Sequence, residues 1–302
     1  MSPMGRPEGE YRSAQHEGSP ESPMGRPEGE YRSAQHEGNP VGAGPALHVE
    51  SAGAGPPLVL LHGWAMHGGL FAPLVPFLAR RHRVHVVDLP GHGHSAAVLP
   101  YTLDAIVARL DAAFAHETQS MTVLGWSFGA TAALRWARLC PARVARLVLV
   151  GATPRFVAAA DWIPAMAPET LARFGDELRV AYRLTLNRFL TLQVQGSAEG
   201  RATLAALRAA LFARGEPPAD VLASALAVLA AADLRADVRA IGAPALVVTG
   251  SRDLLTPPAA GAWLAGALPR ARLVAIENAA HAPFLSHRRQ FDAAVAEFLD
   301  AA

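Results

Sequence analysis

Not one lysine occurs in the 302 residues, so all 27 basic side chains are arginines. A phosphate loop that ends in a lysine is therefore excluded, and the only Gly-rich turn of note also lacks the G-x-G-x-x-G spacing of a dinucleotide site. No cofactor is expected. Cysteine occurs once, at Cys140, which excludes an internal disulfide. Cys140 stands before Pro141 at the expected end of a helix, as a small packing residue. No cluster of His and Cys has the spacing of metal ligands, so no metal is expected either. Long apolar runs are also missing: none reaches 18 residues, and the amino terminus has no apolar core of a signal peptide and is too acidic for a transit peptide. The expectation is a soluble, cytoplasmic, monomeric protein without a membrane partner. At a net charge of +1, no nucleic-acid partner is expected.

Residues 2–18 recur without change at 22–38, a period of 20. This stretch is rich in Pro, Gly, Glu and Arg and nearly devoid of apolar side chains, so it cannot bury enough surface to offset ordering. Two copies are too few for a solenoid. Residues 1–40 are expected to be a disordered tail, and residues 41–302, in a chain that is 51% hydrophobic, to form one domain.

The candidate chemistry begins at Gly125-Trp126-Ser127-Phe128-Gly129, between an apolar run at 121–124 and a helical pattern at 130–138. That is the context of a nucleophile elbow, a tight strand-to-helix turn that holds its serine in strained backbone angles. A serine hydroxyl needs a base, and the base needs a partner that fixes its tautomer. In this architecture acid and histidine follow the serine in that order. The apolar segment at 245–249 ends in Gly250-Ser251-Arg252-Asp253, which nominates Asp253 as the acid. A second strand at 272–276 runs into Glu277-Asn278-Ala279-Ala280-His281, which nominates His281 as the base. Two amides must receive the oxyanion, and the Phe128 N–H is the first. The strand at 58–61 opens into His62-Gly63-Trp64, which offers the Trp64 N–H as the second. His62 reads as a hydrogen-bonded brace, and His67, His82, His85, His92 and His94 receive no catalytic role. The turn Leu89-Pro90-Gly91-His92-Gly93-His94-Ser95 reads as structural.

These motifs together resemble the α/β-hydrolase superfamily, which implies a mostly parallel central sheet with helices on both faces and an inserted helical cap. Within it, Leu60-Leu61-His62-Gly63-Trp64, Gly125-Trp126-Ser127, Arg188-Phe189-Leu190-Thr191-Leu192-Gln193 and His281-Ala282-Pro283-Phe284-Leu285-Ser286-His287 resemble the pimeloyl-[acyl-carrier protein] methyl ester esterases of biotin synthesis. The resemblance implies substrate contacts from Trp64, Phe128 and Phe189, and docking of the carrier protein on cap arginines such as Arg188 and Arg201. Two further arginine positions of that family are occupied here by Leu184 and Ala205, with Arg183 and Arg208 nearby.

Independently of the family, the residues from 151 to 244 show helical periodicity too long for a simple crossover, which points to a cap at about 155–233. From 155 to 214 there are eight arginines against five acids, a local positive excess that suits an acidic partner. Phe156, Trp162, Ile163, Phe174, Phe189 and Phe212 give the cap apolar faces expected to pack over the strand ends. A cavity without a buried cation would accept an uncharged ester and bind an ionised product poorly. The competing readings are a general short-chain carboxylesterase with no carrier partner, a same-fold thioesterase, haloperoxidase or carbon–carbon bond hydrolase, and a hydrolase-fold binding protein without activity. A serine at the elbow argues against dehalogenase and epoxide-hydrolase chemistry, which use a carboxylate there.

Overall fold

The computed structural model describes residues 46–301. The duplicated amino-terminal segment lies outside the described residues.

Seven strands make one sheet: β1 (Val49–Ala52), β2 (Pro57–Leu61), β3 (Arg83–Val87), β4 (Met121–Trp126), β5 (Val144–Val150), β6 (Ala245–Gly250) and β7 (Ala271–Ile276), in the spatial order β1-β3-β2-β4-β5-β6-β7. Only β1 runs antiparallel, against β3; every other pairing is parallel. Each residue of β2, β4 and β6 is buried. Side chains alternate between faces along a strand, so complete burial means that both faces are covered, as parallel sheets require. The covering helices include α1 (Leu103–Ala113) and α2 (Phe128–Leu139), which pack on each other, with α2 also on β4 and β5. The four cap helices are α3 (Pro168–Val180), α4 (Tyr182–Leu192), α5 (Gly200–Leu211) and α6 (Ala219–Ala231). Two more, α7 (Pro258–Ala267) and α8 (Arg288–Asp300), pack against β6 and β7. Thr102 caps α1 by accepting from the Ala105 amide, with Asp104 in the first turn where the helix dipole favours an anion. Among the described residues, no helix is long and apolar enough to cross a membrane.

The cap leaves the sheet after β5 and returns before β6. Its neck is closed by a bridge between Arg155 and Asp233 and by the Leu234 amide bonding the Pro154 carbonyl at 2.8 Å. Long-range contacts made by Trp64, His67 and Arg214 help to hold it over the carboxyl edge of the sheet. The Trp64 indole N–H donates to the Leu222 carbonyl at 2.9 Å, and the His67 ring donates from Nε2 to the Ala210 carbonyl at 2.7 Å. Arg214 reaches inward to both oxygens of the buried Asp88, at 3.0 and 3.1 Å, and to Glu50 at 2.5 Å. One of the eight cap arginines therefore ties the cap to the body and adds no charge to its outer face. Burial pushes the Asp88 carboxyl up, but bonds from the Gly68 and His94 amides together with the Arg214 charge outweigh it and hold the group below its ordinary range.

The aromatic faces of the cap divide. Phe174 and Phe189 pack edge-on against Trp64. Trp162 turns away and meets Trp263 of α7 and the Arg235 guanidinium. Ile163 is 83% exposed and Phe212 lies at the surface under Arg183, so neither packs over the strand ends as the pattern predicts. For Phe212 the physical reason is the arginine above it, which supplies a cation–π partner in place of a core.

Candidate active site

β4 ends at Trp126 and α2 starts at Phe128, leaving Ser127 alone in the turn with φ 56° and ψ −118°. Such angles cost a non-glycine residue about 1–3 kcal/mol and persist only where neighbours over-determine them. They do so here: the Ser127 amide donates to the Val150 carbonyl at 2.9 Å, and its own carbonyl accepts from Ala130 and Thr131 at 2.8 and 3.1 Å. A Cβ at Gly129 would stand 2.7 Å from the His62 carbonyl oxygen. Only glycine lets the start of α2 press that closely onto the end of β2.

Asp253 and His281 lie on the loops that leave β6 and β7 at the same carboxyl edge, where parallel α/β sheets place their ligand sites. The Asp253 carboxylate is buried and fully engaged. Oδ1 accepts the Leu255 and Thr256 amides at 2.9 and 3.0 Å, while Oδ2 accepts the Thr256 hydroxyl at 2.7 Å and the His281 ring at 2.8 Å. An ionised carboxylate only accepts, so His281 carries its proton on Nδ1 and keeps the Nε2 lone pair free. Among the described residues, Nε2 is buried and has no hydrogen-bond partner. The imidazole is thus held in the tautomer of a general base with its accepting atom unspent. Its backbone is pinned at both ends, the amide donating to the Gln193 carbonyl at 3.0 Å and the carbonyl accepting the Trp126 indole at 2.8 Å. The ring rests against Gly151, where φ is +52° and a Cβ would come within 2.9 Å of Nδ1.

Among the described residues, neither the Trp64 nor the Phe128 amide donates a hydrogen bond. Both are available to an oxyanion, the second with the field of a helix amino terminus behind it. A cavity of about 130 Å³ is lined by Ser127 together with Trp64, Phe156, Phe174, Phe189, Leu229 and other, mostly apolar, side chains. Its one charged lining residue is Arg188, 62% exposed at the rim and 3.4 Å from Glu177. Trp64 and Phe189 therefore line the cavity. The Phe128 ring does not: it is buried against His92, so its expected substrate contact reduces to its backbone amide.

A family model described as the alpha/beta hydrolase fold matches residues 56–288. A pimeloyl-[acyl-carrier protein] methyl ester esterase of Chromobacterium violaceum is 45% identical over 254 residues, covering 84% of this chain and 98% of that one. One of the same name from Xanthomonas axonopodis pv. citri is 46% identical over 255 residues, covering 84% and 98%. The chain belongs to the α/β-hydrolase fold family and, within it, to the pimeloyl-[acyl-carrier protein] methyl ester esterases. Solved structures agree on the fold: an esterase from Exiguobacterium antarcticum superposes with a TM-score of 0.76 at 21% identity, covering 84% of this chain and 96% of that one. An enol-lactonase from Burkholderia xenovorans gives 0.72 at 27%, covering 84% and 96%.

Three groups in this esterase escape a reading of its sequence. Thr256 shares Asp253 Oδ2 with the candidate base and lies 3.3 Å from Nδ1. Among the described residues, Gln193 is buried with both side-chain polar atoms unpartnered, an arrangement that costs stability. Its only signal in the sequence is its place at the end of Arg188-Phe189-Leu190-Thr191-Leu192-Gln193. His48, Asp88 and His94 bring ligand atoms within 4.8 Å of one another, the spacing of a metal cluster. Each Asp88 oxygen already accepts a backbone amide and the Arg214 guanidinium, so the donor set is spent and a cation already fills the place.

The arginines expected to dock a carrier are exposed, but some of the cap's positive charge is paired within the cap. Arg188 and Arg201 are both exposed, but Arg188 pairs with Glu177 and Arg183 with Glu216. Leu184, at one of the two family positions that lack an arginine, is itself exposed.

Proposed function

We propose that this esterase hydrolyses the methyl ester at the far end of a pimeloyl chain carried by acyl-carrier protein, releasing methanol and pimeloyl-[acyl-carrier protein] for biotin synthesis, with Ser127, Asp253 and His281 as its triad. The observation that carries the reading is the apolar cavity that Ser127 helps to line. An aliphatic chain with an uncharged methyl ester can fill it without leaving a charge unpaired, whereas the free acid would have to desolvate a carboxylate among phenylalanines and leucines. The thioester end then leaves through the mouth beside Arg188, where a carrier can stay in solvent.

In this reading His281 Nε2 removes the Ser127 proton as Oγ attacks the ester carbonyl. The oxyanion is received by the Trp64 and Phe128 amides. The tetrahedral adduct collapses with Nε2–H protonating the departing methoxide, which leaves as methanol. Water then gives its proton to the same nitrogen, attacks the acyl-enzyme and releases the acid, while Asp253 stabilises the imidazolium at each turn. The exposed cap arginines Arg188 and Arg201 are proposed to receive the acidic carrier. The monomeric state and cytoplasmic location expected from the sequence remain part of this proposal.

Methanol release from pimeloyl-carrier methyl ester and from free dimethyl pimelate tests it. The carrier-linked ester is expected to show a kcat/KM on the order of 10²-fold higher, because binding energy from the remote carrier is used at the reacting centre, and this advantage should shrink as salt screens the arginines. Equal values for the two esters at low salt would instead describe a general short-chain carboxylesterase.

A further inference from the structure

Both ring nitrogens of His62 are engaged. Its Nδ1 lies 2.8 Å from the Gly63 carbonyl oxygen, and its Nε2 lies 2.9 Å from the Leu89 amide nitrogen. A carbonyl can only accept and an amide N–H can only donate, so the proton sits on Nδ1 and Nε2 is the acceptor. The ring is wholly buried, and burial drives its pKa down to about 3, so this neutral tautomer persists through the working pH range. With both nitrogens spent, His62 cannot act as a base.

The acceptor on its Nδ1 side has a second identity. The Gly63 carbonyl and the Trp64 N–H belong to one trans peptide unit, whose C=O and N–H point in opposite directions from a rigid plane. Whatever holds that carbonyl aims that amide. The Met66 amide also donates to it, at 3.2 Å, but it lies on the same loop and would follow the plane if it turned. His62 is anchored differently, through Leu89 on the loop after β3. That loop is itself cross-braced: the Ser95 hydroxyl donates to the Asp88 carbonyl at 2.6 Å, and the Tyr101 hydroxyl and His92 ring donate to the Pro90 carbonyl at 2.9 and 3.1 Å.

We infer that His62 is a positioning residue for ester hydrolysis, which locks the Gly63–Trp64 peptide plane so that the Trp64 amide is aimed at the oxyanion before substrate arrives. The inference rests on the proposed reading of Trp64 as an oxyanion donor. It gives the Gly-rich turn after β3 a purpose, since the Leu89 amide selects the tautomer that can hold the Gly63 carbonyl. Preorganisation of this kind lets a donor act in the transition state without reorganising at the moment of reaction.

Two amide side chains separate the two bonds. In His62→Asn the carboxamide nitrogen reaches the place of Nδ1 and can still donate to Gly63, but nothing accepts from Leu89. In His62→Gln the carboxamide reaches the place of Nε2, accepting from Leu89 but leaving Gly63 unheld. The glutamine variant is expected to lose tenfold to roughly 10²-fold in kcat with KM nearly unchanged, up to the scale of a missing oxyanion donor. Its affinity for pentylboronic acid, which forms a tetrahedral adduct on a reactive serine, should fall by the same factor. The asparagine variant should recover most of that kcat although its melting temperature falls at least as far. If both variants instead lose activity in step with melting temperature, or if glutamine keeps the wild-type kcat, His62 is a packing brace only. Labelling of wild-type Ser127 by a fluorophosphonate separates this outcome from failure of the esterase reading, since without labelling the wild type itself would have no serine nucleophile to serve.

Discussion

Ser127→Ala is expected to lose about six orders of magnitude in kcat, the scale on which removal of a triad serine abolishes turnover, with almost no change in melting temperature. The Ser127 side chain makes no hydrogen bond among the described residues, and alanine can adopt the same backbone angles at the same cost, so the fold loses little. The cavity walls are untouched, so the variant should still bind the carrier-linked ester and trap it uncleaved. Methanol release followed alongside thermal unfolding checks both halves. A variant that retains more than a small fraction of turnover while folding normally would move the nucleophile elsewhere.

Asp253→Asn is expected to lose about 10⁴-fold in kcat, close to the loss seen when a triad aspartate becomes an amide with its geometry intact. Four donors converge on the Asp253 carboxylate: two amides on Oδ1, and the Thr256 hydroxyl and the His281 ring on Oδ2. An asparagine can satisfy the two amides with its carbonyl oxygen, but must then present an NH₂ group where Oδ2 stood. That group meets His281 Nδ1 donor to donor, and the ring escapes by moving its proton to Nε2. The base then carries a hydrogen on the atom that should receive one from Ser127. Thr256 can rotate its hydroxyl to accept, so stability should fall by only about 1–3 kcal/mol for the lost charge-assisted bonds. A kcat reduced less than tenfold would mean that Asp253 does not set the tautomer of the base.

The parts of the site that were legible in the sequence are those encoded locally. Ser127, Asp253 and His281 each follow an apolar strand through a short turn, and a strand end in a parallel sheet has only one edge to reach, so three local patterns assign three distant residues to the same sheet edge. His62 as a brace follows from the same logic. Contacts joining residues far apart in sequence were not legible, because nothing local distinguishes them. Arg214 reads as one more cap arginine until its guanidinium is seen on Asp88, 126 residues away. The Trp64 indole reads as a substrate contact, yet its N–H is spent on Leu222 of α6, linking the candidate oxyanion loop to the cap. Gly151 carries no motif, and its need for glycine appears only when the His281 ring is found against it. Apolar identity likewise overstated packing: Ile163 and Phe212 have core-type side chains, but the fold leaves one in solvent and the other beneath an arginine.

In the proposed reaction Ser127 opens the methyl ester and leaves the carrier thioester intact. Intact-mass spectrometry of pimeloyl-carrier methyl ester, incubated with wild type and with Ser127→Ala, tests it most directly. The wild type alone is expected to remove one methylene mass from the acylated carrier, with the acyl chain still attached. A carrier stripped of its whole acyl chain would make the enzyme a thioesterase, and an unchanged carrier alongside rapid cleavage of small free esters would contradict the assignment to biotin synthesis.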